Sequence, residues 1–99
     1  MGRIAVKFYS TLAPVTGQKE IKWIIRGTEV PLLELLVGLS AKYGPQFREQ
    51  IFDQRGEILP PTRIAVDGEF LPGRDSGAIA SKKVLAGQVV KIFPPTDGG

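Results

Sequence analysis

Pro31-Leu32-Leu33-Glu34-Leu35-Leu36-Val37-Gly38-Leu39-Ser40-Ala41-Lys42-Tyr43-Gly44-Pro45 is the stretch of this 99-residue chain in which the apolar period becomes helical. Leu32, Leu35, Leu36 and Leu39 fall at i, i+3, i+4 and i+7, with Tyr43 one turn further on, which makes a helix with a single apolar stripe. Pro31 suits the first turn, where its missing N–H costs nothing, and Gly44-Pro45 stops the helix. Thr28 is a candidate cap. A leucine stripe at this spacing is core.

On either side the period is two. Ile4, Val6 and Phe8 alternate with Ala5, Lys7 and Tyr9, a half-buried strand. Residues 10–17 read as a turn-rich stretch broken by Pro14 and Gly17. From Lys19 to Arg26, Ile21, Trp23 and Ile25 share one face, and Lys22, Ile24 and Arg26 the other. These two strands form an opening hairpin. Beyond the helix, residues 47–53 suggest a short helical turn in which Phe47, Ile51 and Phe52 pack. Arg55-Gly56 reads as a turn, and Glu57-Ile58-Leu59 as an edge piece ended by Pro60-Pro61. Ile64-Ala65-Val66 is a buried strand, Asp67-Gly68 a type I′ turn, and Glu69 to Leu71 the returning strand. Residues 72–83 read as an irregular surface loop, and Leu85-Ala86-Gly87 turns into a last strand, Gln88 to Phe93.

A hairpin, a crossover helix and a second hairpin predict an α+β fold: a mixed sheet of four or five strands with one main helix across one face. The crossover rule places the first and last strands parallel and adjacent near the centre. That is the β-grasp, ubiquitin-like arrangement. One domain over residues 1–94 and a flexible tail over 95–99 are expected.

The chain ends in Gly98-Gly99, after Pro94 and Pro95. Two residues without Cβ fit a narrow channel, and the prolines favour an extended spacer that projects away from the body. Such an end suits a carboxylate delivered into a partner's active site; the bland alternative is a frayed terminus. Amides from Thr96 to Gly99 are expected to be disordered on the nanosecond scale.

Composition narrows the function classes. An apolar content of 42% suits a folded domain, and the net charge of +3 comes without a run of like charges. Cysteine and histidine are both absent, which removes disulfides, thiolate chemistry, histidine acid/base catalysis and Cys/His metal sites. Arg3, Lys7, Lys22 and Lys91 form a basic sheet face if their strands adjoin. With Tyr9 the one aromatic of outward parity on the first strand, a solvated face is the better reading than a nucleic-acid surface. No membrane-spanning run or signal segment is read, and an intracellular, cytoplasmic monomer is expected.

Leu85-Ala86-Gly87-Gln88-Val89-Val90-Lys91-Ile92-Phe93-Pro94-Pro95-Thr96-Asp97-Gly98-Gly99 resembles the C-terminal signature of the ubiquitin-like sulfur carriers. That family includes the small archaeal modifier proteins, the ubiquitin-related modifier and the small subunit of molybdopterin synthase. Pro31 to Leu39 with Tyr43-Gly44 resembles their helix, and Val66-Asp67-Gly68 their Val-Asn-Gly turn. Gln88 stands where the family usually has Asp, and Asp97 puts an acid beside the diglycine.

The resemblance implies a carrier, not an enzyme. An E1-like partner using ATP and Mg²⁺ adenylates the Gly99 carboxylate, which then becomes a thiocarboxylate or is joined to target-protein lysines. Gly98 and Gly99 are the activation residues, with Phe93, Pro94 and Pro95 binding the partner. No catalytic residue, metal or bound cofactor is expected in this chain. A second version makes it the molybdopterin synthase small subunit, seated in a large subunit and donating sulfur for molybdenum cofactor biosynthesis. A third reading, from another class, is a non-covalent β-grasp binding module.

Overall fold

The computed structural model describes residues 1–95; the expected activation residues Gly98 and Gly99, and the expected mobility of 96–99, lie outside the described residues. Strand β1 (Gly2–Phe8) pairs antiparallel with β2 (Glu20–Ile25) and parallel with the last strand, β7 (Val89–Phe93). On its other side β7 pairs with β4 (Arg63–Val66), and β4 pairs with β5 (Glu69–Pro72). The sheet therefore has five strands in the order β2-β1-β7-β4-β5, with the first and last strands parallel as the crossover rule requires.

Helix α2 (Leu32–Tyr43) buries Leu32, Leu35, Leu36 and Leu39 with Ile4, Val6, Ile64, Val90 and Ile92 from the inner face of the sheet. Its start differs from expectation. Pro31 is itself the N-cap, with extended backbone, and no side chain caps the helix. The first turn is anchored instead by Leu32 N–H donating to the carbonyl of Lys82 at 2.8 Å. Gly44 ends the helix, and Pro45 begins α3 (Pro45–Ile51), which buries Phe47 and Ile51 as expected. Phe8 meets Tyr43 and Phe47 edge to face, tying β1 to both helices.

Five segments depart from the sequence reading. The stretch 10–17 contains a helix, α1 (Leu12–Thr16), in which Pro14 falls within the first turn and loses no intrahelical bond. Residues 72–83 are not an irregular loop: they hold α4 (Ser76–Ser81), whose Ile79 is buried. Asp75 caps it, its carboxylate accepting from Ala78 N–H at 3.1 Å. Two three-residue strands, β3 (Glu29–Pro31) and β6 (Lys83–Leu85), pair as a second small sheet, with Lys83 and Glu29 bridged at 3.3 Å. Glu57-Ile58-Leu59 contributes a single bridge, Ile58 to Phe52, rather than a strand.

Gly73 joins the region of residues 59–62 to the end of β5. Its N–H donates to the Thr62 carbonyl at 2.6 Å, and Thr62 N–H donates to the Leu59 carbonyl at 2.9 Å. A Cβ at Gly73 would collide with the Leu59 carbonyl oxygen and lie 3.0 Å from that of Thr62. Both obstacles are backbone and neither can rotate away. Gly73→Ala is therefore expected to cost about 1–3 kcal/mol, read from denaturant unfolding. Unchanged stability would show that these segments are free to separate.

Candidate functional site: the exit of the last strand

The site is the place where β7 leaves the sheet. The start of that strand is pinned from several directions. Asp67 and Gly68 both have positive φ, 49° and 87°, as a type I′ turn demands. Asp67 exchanges two hydrogen bonds with Val89: its N–H donates to the Val89 carbonyl at 2.9 Å, and its carboxylate accepts from Val89 N–H at 2.8 Å. Across the strand, Gly87 N–H donates to the Arg3 carbonyl and Ala5 N–H to the Gln88 carbonyl. The Gln88 side chain accepts from Leu85 N–H at 2.8 Å, so this residue closes the turn before β7. With the register fixed at the start and the strand held on both sides, its end has little freedom. Pro94 and Pro95 lack the N–H that would extend the ladder.

Val90 and Ile92 enter the core, whereas Val89, Lys91 and Phe93 face outward. Lys7, Tyr9 and Ile24 share that outer face, and Ile24 is 52% exposed. Phe93 thus does not close the core. Its ring stacks on Tyr9 at 4.4 Å between centroids, 20° from parallel, and lies 5.9 Å from Phe70. Phe70 is 60% exposed. Pro61, Arg63, Phe70, Phe93 and Pro94 line a groove of about 470 Å³.

Pro94 is buried and Pro95 half-buried, so the proline pair begins against the body rather than clear of it. Phe93 and Pro94 come together in one groove; Pro95 does not line it. The sequence reading missed Phe70, Arg63 and Pro61. Strand pairing places the first two, Phe70 opposite Ala65 and Arg63 opposite Phe93.

Charge is concentrated on the same face. Arg3, Lys7, Lys22, Arg63 and Lys91 point outward from adjoining strands, and Lys7 and Lys91 are directly paired in register. Glu20 is the one carboxylate on that face among the described strand residues, 3.4 Å from Lys22 and 3.9 Å from Lys7. Among the described strand residues this face thus carries five basic side chains and one acidic one.

Other titrating groups lie away from it. Backbone N–H donation from Glu57 and Arg55 holds the Asp53 carboxyl below its ordinary range, and burial raises the Tyr43 phenol. Among the described residues no group of three or more Asp or Glu is placed to hold a metal, and no helix is long and apolar enough to cross a membrane.

The five-stranded sheet with parallel first and last strands and α2 across one face is the ubiquitin-like β-grasp fold. Small archaeal modifier protein 3 of Haloferax volcanii is 29% identical over 96 residues, covering 97% of this chain and 98% of that protein. The chain is thus similar over nearly its whole length to a modifier protein. No family model matches it.

Solved structures share the fold. Small archaeal modifier protein 1 of Haloferax volcanii superposes with a TM-score of 0.78 at 22% identity, over 99% of this chain and 100% of that one. A Pyrococcus furiosus protein described as molybdopterin converting factor subunit 1 gives 0.68 at 20% identity, over 97% and 100% of the respective chains.

Phe93→Ala is expected to leave the fold intact and to weaken partner binding about tenfold, equivalent to about 1.4 kcal/mol, as for an aromatic anchor. Titration calorimetry against the activating partner and a melting curve check it. Unchanged binding with lowered stability would reduce the Tyr9–Phe93 stack to a packing role.

Proposed function

We propose that this chain is a carrier whose C-terminal Gly99 carboxylate is activated by an E1-like adenylating enzyme. The observation that carries the reading is the length-matched similarity to a modifier protein, on a fold that pins the strand leading to the tail. A carboxylate is a poor acyl donor. The partner, using ATP and Mg²⁺, joins a Gly99 oxygen to the α-phosphorus and releases pyrophosphate. The outer sulfur of a partner's persulfide then attacks the carbonyl and displaces AMP, giving an acyl disulfide. A partner thiol attacks the inner sulfur of that bond, forming a disulfide on the partner and releasing the Gly99 thiocarboxylate, available as a sulfur donor. Attack by a lysine amine on the activated carbonyl instead forms an isopeptide bond and releases the activating group.

Each step needs a base, a metal site or a nucleophile, and the partner supplies them. This chain contributes position. The central strand fixes where the tail starts, the prolines end the pairing, and the outer face offers the partner an aromatic and basic surface. Fixed placement of a reacting group relative to the catalytic groups accounts for a large share of the barrier lowering in such reactions.

The test is incubation of the full chain with an adenylating enzyme, ATP, Mg²⁺ and a persulfide donor, followed by intact-mass measurement. A mass gain equal to the exchange of one oxygen for sulfur, mapped to Gly99, is expected. Adducts of this chain on lysines, found by peptide mapping, would add the modifier role. No modification with a partner that activates other carriers of this kind would leave only a binding module.

A further inference from the structure

Beside the groove at the strand exit lies a smaller cleft of about 190 Å³, lined by Pro60, Pro61, Thr62, Arg63, Pro72 and Arg74. The two hollows share Pro61 and Arg63. Arg63 and Arg74 have no carboxylate within 4.0 Å among the described residues, in contrast to Lys7, Lys22, Lys82 and Lys83. The hydroxyl of Thr62, the residue before Arg63, is buried without a hydrogen-bond partner among the described residues. The segments that carry the arginines are stapled by the Gly73–Thr62 hydrogen bond, with no space for a side chain at Gly73. The backbone from which the two arginine side chains extend is thus held before any ligand arrives, which lowers part of the ordering cost of binding.

We propose that groove and cleft together receive an acidic peptide segment of the activating enzyme. An apolar side chain seats in the groove against Phe70 and Phe93, and a neighbouring carboxylate is held by Arg63 and Arg74. The identity of the partner rests on the function proposed above; the binding chemistry does not. Arginine forks suit carboxylates, and a face with five basic side chains and one acidic one favours an acidic ligand. The groove wall of two prolines and two phenylalanines suits an aliphatic or aromatic anchor. Single-stranded nucleic acid fits less well, because Tyr9 and Phe93 stack on each other and so occupy ring faces a base would need.

The experiment is selection of random peptides displayed on phage against the full chain. Soluble versions of the enriched peptides are then titrated by ¹⁵N NMR. Enrichment of Asp or Glu within two positions of Leu, Phe or Trp is expected, with shifts at Thr62, Arg63, Phe70, Gly73, Arg74 and Phe93. Arg63→Gln combined with Arg74→Gln, and separately Phe70→Ser, should each weaken binding about tenfold. Arg26→Gln should not. All four residues are exposed, so folding is expected to survive, and the amide spectrum verifies it.

The proposal is overturned if no peptide binds, if the peptides lack an acidic consensus, or if the shifts map to the helices or to the free edge of β2. It is also overturned if the arginine variants bind as well as the parent, or if oligouridylate binds these residues more tightly than the best peptide. Deleting Gly98-Gly99 should leave this binding unchanged while removing activation, so the docking surface and the carrier chemistry fail separately.

Discussion

Removing Gly98 and Gly99 is expected to abolish adenylation, thiocarboxylation and conjugation while leaving the melting curve where it was. Adding one residue after Gly99 should do the same. Among the described residues the buried cluster runs from Ile4 to Ile92, upstream of the change. The chemistry has different requirements. It needs a free α-carboxylate at one distance from the face that the partner grips, and a misplacement of about 1 Å can cost about 100-fold in rate. One extra residue displaces the carboxylate by up to about 3.5 Å. Gly99→Ala should be intermediate, because it keeps the carboxylate but adds a Cβ and forbids backbone angles open only to glycine. Intact-mass and gel-shift assays with the activating enzyme read all three variants. Activation of the deletion variant at the parent's rate would reject the carrier reading.

Most of the fold was legible because its decisive elements have strong periods. The leucine stripe from Leu32 to Leu39 could belong only to a helix with one buried face. Asp67-Gly68 marked a two-residue hairpin whose positive φ angles the structure repeats. The parallel pairing of β1 with β7 followed from connectivity alone.

The elements that escaped are those too short to show a period. Three residues each in β3 and β6 gain meaning only when Glu29 is seen opposite Leu85, far along the chain. In α4, the cap Asp75 was visible as a residue but was followed by Ser76 and Gly77, which read as loop. In α1, Pro14 and Gly17 read as breakers, although a proline in a first turn and a glycine at the C-cap are compatible with a helix.

The site follows the same rule. Phe93 lies on a five-residue strand, Val89-Val90-Lys91-Ile92-Phe93, that is apolar at four of its five positions, so the pairing of β7 with β1 and β4 decides which face it takes, just as pairing places Phe70 and Arg63 on their four-residue strands. Arg74 joins Arg63 only through the Gly73 contact, and no local pattern announces a close approach between segments that are separate in sequence.

Adjacent positions on α2 give the sharpest test of the buried face. Leu36 is fully buried, whereas Val37 is 54% exposed. Leu36→Ala removes three buried carbons and leaves a cavity among side chains already in contact, so a loss of about 2–5 kcal/mol is expected. A domain of this size has only about 5–15 kcal/mol in total, and each kcal/mol shifts the melting temperature by about 4–8 °C. The variant should therefore melt at least about 8 °C lower, and a further destabilising change would leave it largely unfolded at ambient temperature. Val37→Ala removes carbon already in water and makes a slightly better helix former, so its effect should stay within about 0.5 kcal/mol. The two residues are neighbours in sequence and similar in chemistry, and the helical period alone separates them. Calorimetric melts of both variants measure that separation directly. A loss below about 1 kcal/mol for Leu36→Ala, or equal losses for the pair, would mean that α2 does not present its leucine stripe to the sheet.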